Sequence, residues 1–68
     1  MSKIAMFTWW RHLSSGREFL CIARNPIDGT ITLMEKYKDT PIETAEADFL
    51  ERVKLGLNKQ IRSDGKVV

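Results

Sequence analysis

Apolar side chains come in three blocks over the first half of the chain, and within them both parities are apolar. Ala5, Phe7, Trp9, Leu20 and Ile22 alternate on one side, while Met6, Thr8, Trp10, Phe19, Cys21 and Ala23 fill the positions between them. Successive side chains of a strand point to opposite faces. The blocks therefore predict a sheet that is apolar on both faces.

The elements follow from the same alternation. Residues 3–10 lack Gly and Pro and are rich in aromatic and β-favouring side chains, which predicts a first strand. The stretch from His12 to Gly16 reads as a turn. Residues 17–24 form a second strand, the loop Asn25-Pro26-Ile27-Asp28-Gly29 reverses the chain, and residues 30–37 form a third. Thr40-Pro41-Ile42-Glu43 matches a helix capping box. Ile42, Ala45, Phe49, Leu50, Val53, Leu57 and Ile61 then fall on one helical stripe, which predicts a helix over 41–62. Gly56 interrupts it, Leu55 lies off the stripe, and residues 63–68 read as a frayed tail. The expected architecture is α+β in one domain, 1–68: a three-stranded antiparallel meander followed by one C-terminal helix packed on one sheet face.

Register sharpens the consequence. If Arg11 opposes Glu18, Trp9 opposes Leu20; a four-residue second loop sets Ile22 against Leu33 and Arg24 against Ile31. The face with Trp9, Leu20, Ile22, Ile31 and Leu33 can receive the helix. The other, with Met6, Trp10, Phe19, Cys21 and Met34, is left uncovered. Large exposed apolar patches mark interaction sites. These five residues are the expected partner-binding set, with a second copy of the chain the first partner and a larger protein the next. A one-residue slip would exchange the faces.

Size strengthens this expectation. A 68-residue chain buries only about 60% of its unfolded surface, and such domains gain stability from disulfides, metals or partners. Cys21 is the only cysteine and His12 the only histidine, so no intrachain disulfide forms and a zinc site lacks ligands. No apolar run approaches a membrane span. The apolar start breaks at Thr8 and Arg11 with no cleavage site after it, which favours a cytoplasmic location over export.

Charge is uneven. Four basic residues face one acidic residue in 1–24, seven acidic face four basic in 25–58, and three basic face one acidic in 59–68. Lys3, Arg11, Arg17 and Arg24 flank Phe7, Trp10 and Phe19, the combination that holds phosphates and stacks on bases. A three-stranded sheet backed by a C-terminal helix is also similar in outline to the arm-type DNA-binding domains of phage integrases. A nucleic-acid module using those four basic residues is therefore the alternative function, although the net charge of +2 is a weak basic footprint.

Catalysis finds little support. Cys21 is expected mid-strand and His12 in a turn, too far apart for a nucleophile–base pair. Glu43, Glu46, Asp48 and Glu51 read as the solvated start of a helix. No phosphate loop, metal spacing or nucleophile elbow is present. We expect no enzyme and no cofactor, but a small binding module, of the kind a phage or mobile element uses as an accessory factor to modulate a larger protein.

Overall fold

The computed structural model describes residues 3–68. Both expected hairpins form. Strand β1 is Trp9–His12, β2 is Arg17–Asn25 and β3 is Thr30–Glu35. Gly16 takes φ 74° in the first turn, and its N–H donates to the His12 carbonyl at 2.8 Å. In the second turn, Asn25 Oδ1 accepts from the N–H groups of Ile27 and Asp28, an Asx turn that fixes the reversal.

The first expected strand is shorter than its composition suggests. Phe7 sits at φ 63°, outside the extended region of a regular strand; its N–H still donates to the Cys21 carbonyl at 2.7 Å, but β1 begins only at Trp9. Residues before it leave the strand path. Ile4 is fully buried in the core, and its N–H donates to Glu46 Oε2 at 2.9 Å.

The expected pairing of Trp9 with Leu20 and of Arg24 with Ile31 is observed. Between them the register shifts: Cys21 pairs with Leu33 and Ala23 with Thr32, so Ile22 is the extra residue of a β-bulge. An inserted residue reverses the parity of everything upstream of it relative to the partner strand. The expected division of faces changes accordingly. Trp10, Phe19 and Cys21 share a face with Leu33 and Ile31, and the helix covers that face. Trp9, Leu20 and Met34 take the opposite one.

The segment 41–62 is not one helix. It is strand β4, Pro41–Ala45, helix α1, Glu46–Lys54, and strand β5, Asn58–Ile61. Ile42 and Thr44 alternate with a strand's period and pair with Leu33 and Ile31. The Thr40 capping box is not used: Ala45 is the N-cap, without a side-chain hydrogen bond. Gly56 ends the helix at φ 79°. Its N–H donates to the Val53 carbonyl, and that of Leu57 to the Arg52 carbonyl. These two bonds define a Schellman motif, in which a left-handed residue reverses the chain. Residues 63–68 are not simply frayed. Val67 bridges to Ile61, and the Arg62 N–H donates to the Lys66 carbonyl at 2.8 Å.

The result is α+β with one helix and an antiparallel sheet of five strands rather than three, in the order β4-β3-β2-β1-β5. The core lies between sheet and helix: Ile4, Trp10, Cys21, Ile31, Leu33 and Phe49. The Phe49 ring meets Trp10 edge-on at 5.3 Å between centroids, a favoured aromatic geometry. Trp10 Nε1 donates to Thr8 Oγ1 at 2.8 Å, so this indole enters the core with its polar atom satisfied.

Candidate interaction surface

On the side of the sheet away from α1, one register line is apolar from edge to edge. Ile61 pairs with Trp9, Trp9 with Leu20, Leu20 with Met34, and Met34 with Pro41. Directly opposed residues of antiparallel strands share a face. The row therefore crosses all five strands. Trp9, Leu20 and Met34 are half-buried by their neighbours. Ile61 is the exception at 3% exposure.

Charged positions border this row. Lys59 pairs with Arg11, and Arg11 with Glu18. Arg11 Nε and Nη2 both donate to Glu18 Oε2, at 2.9 and 2.7 Å, and Nη2 also reaches the Gly65 carbonyl. Lys36 approaches the other Glu18 oxygen at 3.4 Å. The Arg11 hydrogen bond holds the Glu18 carboxyl below its ordinary pKa, so this border stays ionised. On the far side of the row, Thr32 pairs with Glu43 on β4.

The five residues expected to bind a partner do not stay together. Trp10 and Cys21 are sealed in the core at 2% and 0% exposure, and Phe19 packs against that core. Met34 is on the uncovered face. Met6 is exposed, in the segment before β1. The residues at the middle of the uncovered face are instead Trp9 and Leu20, which the sequence reading places under the helix. The bulge that moved them there leaves no mark in local composition, since Ile22 is an ordinary strand residue.

The basic set is dispersed as well. Arg17 makes two bonds to Glu35, Nε to Oε2 at 3.0 Å and Nη2 to Oε1 at 2.6 Å. Arg24 makes two to Glu46, at 2.6 and 2.9 Å. These bonds lower the pKa of both carboxyls. Arg11 lies on the uncovered face, while Arg17 and Arg24 share the helix side with Phe19 and Ile31. Lys3 is exposed. Each of the three arginines is thus an internal clasp, and the three do not line a common groove.

Cys21 Sγ points to the Ala23 carbonyl at 3.6 Å, and burial pushes its thiol pKa up, the opposite of what a nucleophilic cysteine needs. His12 Nδ1 lies 2.9 Å from Ser15 Oγ and 3.2 Å from Ser14 Oγ. Among the described residues, no three His, Cys, Asp or Glu side chains gather as a metal site. No helix there is long and apolar enough to cross a membrane. No family model matches the chain, and neither does any curated protein or solved structure.

Proposed function

We propose that the protein is a non-catalytic interaction module that pairs with a second copy of itself through the uncovered sheet face. The observation that supports this most is the row Trp9-Leu20-Met34-Pro41, apolar on the side that α1 leaves open; Ile61, at the end of the same line, is already buried within the subunit. Trp9 is its anchor, since fully burying one large apolar side chain yields about 1.5–3 kcal/mol and tryptophan dominates interface energetics.

The molecule measures 31 × 28 × 18 Å, and a standard interface buries roughly 800 Å² per partner. Two such sheets pack face to face about 10 Å apart with side chains interleaved, and the Arg11–Glu18–Lys36 border forms a polar rim.

Light scattering across the micromolar range tests the reading. The wild-type chain is expected to be a dimer, and Trp9→Ser to shift it to monomer with its circular dichroism unchanged. Leu55→Ser, at an exposed helix end, is expected to leave the dimer intact. A wild-type monomer throughout that range would defeat the proposal, as would a complex that forms only with a larger protein.

A further inference from the structure

A second site lies on the opposite side of the sheet and is independent of that pairing. We propose that the groove beside α1 binds a small aromatic carboxylate that carries a ring N–H or O–H donor. The helix is nine residues long and does not cover the end of the sheet where β1 turns into β2. The space left there is about 330 Å³, within the range of small-molecule sites and too small for a folded partner. Its apolar wall includes Trp10, Leu33 and Phe49, all buried, which suits a flat ring.

Two polar features select the ligand. Asn58 lines the groove at only 5% exposure, and its Oδ1, itself closed to solvent so that a ligand reaches it only if the side chain turns, has no hydrogen-bond partner among the described residues. Buried acceptors are rarely left unpaired, and this one asks for a donor. At the rim stand Arg52 and Arg17, and no Asp or Glu lines the space. Arg17 is held by Glu35, whereas Arg52 makes no ion pair among the described residues. An anionic group on the ligand answers Arg52, and a ring donor answers Asn58.

Indole-3-acetate is the probe, titrated into the full chain and followed by amide chemical shifts. Saturable shifts are expected at Trp10, Phe49, Arg52 and Asn58. Two comparators separate the polar contacts: 1-naphthaleneacetate lacks the ring N–H, and 3-methylindole lacks the carboxylate. Each is expected to bind roughly tenfold more weakly, the effect of one lost charged or buried hydrogen bond. Arg52→Ala, at an exposed position, should bring indole-3-acetate down to the level of 3-methylindole. Asn58→Leu should abolish the preference over 1-naphthaleneacetate. Equal affinity for all three probes would overturn the proposal. So would shifts that do not saturate, or that centre on Trp9 and Leu20.

Discussion

Two adjacent tryptophans have opposite fates. Trp10 is 2% exposed and packs on Phe49, while its neighbour Trp9 lies half-buried on the open face. Replacing a buried aromatic with alanine costs about 3–5 kcal/mol, and a domain's whole margin is about 5–15 kcal/mol, at the low end for so short a chain. Trp10→Ala is therefore expected to lose cooperative unfolding in a urea titration. Trp9→Ala should keep it, with stability lowered by about 1 kcal/mol. That the two residues point apart was legible from strand geometry alone. Which of them faces the helix was not, because that depends on the bulge at Ile22, and a bulge is set by how β2 meets β3 rather than by the residue that forms it.

At the level of elements, Gly56 carries the clearest expectation. Its φ of 79° is unfavourable for a side chain, yet a Cβ built there meets no atom within 4 Å. Gly56→Ala should thus cost about 1 kcal/mol from conformation alone, with no added steric term. At the other end, Ala45 has the extended backbone of an N-cap, φ −67° and ψ 128°, but no capping side chain. Ala45→Asp should raise the thermal midpoint, by an amount equivalent to about 1 kcal/mol. These two ends also show why residues 41–62 read as one helix. The apolar spacing across them fits a helical stripe, but Ile42 and Thr44 fit a strand equally well, and short stretches do not separate the two periods. Gly56 signalled the end of α1 and was legible as an interruption. Strand β5 was not legible, because Asn58, Lys59 and Gln60 have no strand composition. Its conformation comes from the free edge of β1, a partner more than forty residues away in the chain.

For the molecule as a whole, the arginines tie the layers together. Arg24 on β2 holds Glu46 at the start of α1, and the same carboxylate accepts the Ile4 N–H. One side chain therefore joins sheet, helix and the segment before β1. Arg17 joins β2 to β3 through Glu35, and Arg11 joins β1 to β2 through Glu18. The sequence suggested basic residues free to meet phosphates because it could not show which acids they would find. Acid sensitivity follows from these clasps. Glu18, Glu35 and Glu46 each have a folded pKa below the ordinary 4.5, so the folded state favours their ionised forms. Their contribution is complete above that value and is lost as pH falls through each lowered folded pKa. The urea midpoint should stay level from neutral pH to about 5 and fall below about 4, with less to lose at high salt, which screens the exposed pairs. Glu46→Gln should be less stable than wild type at neutral pH, and the difference should close in acid, where wild-type Glu46 is protonated too. If instead the gap held constant down to acidic pH, Glu46 would act through its shape and its neutral hydrogen bonds, and the tie between the two layers would not be electrostatic.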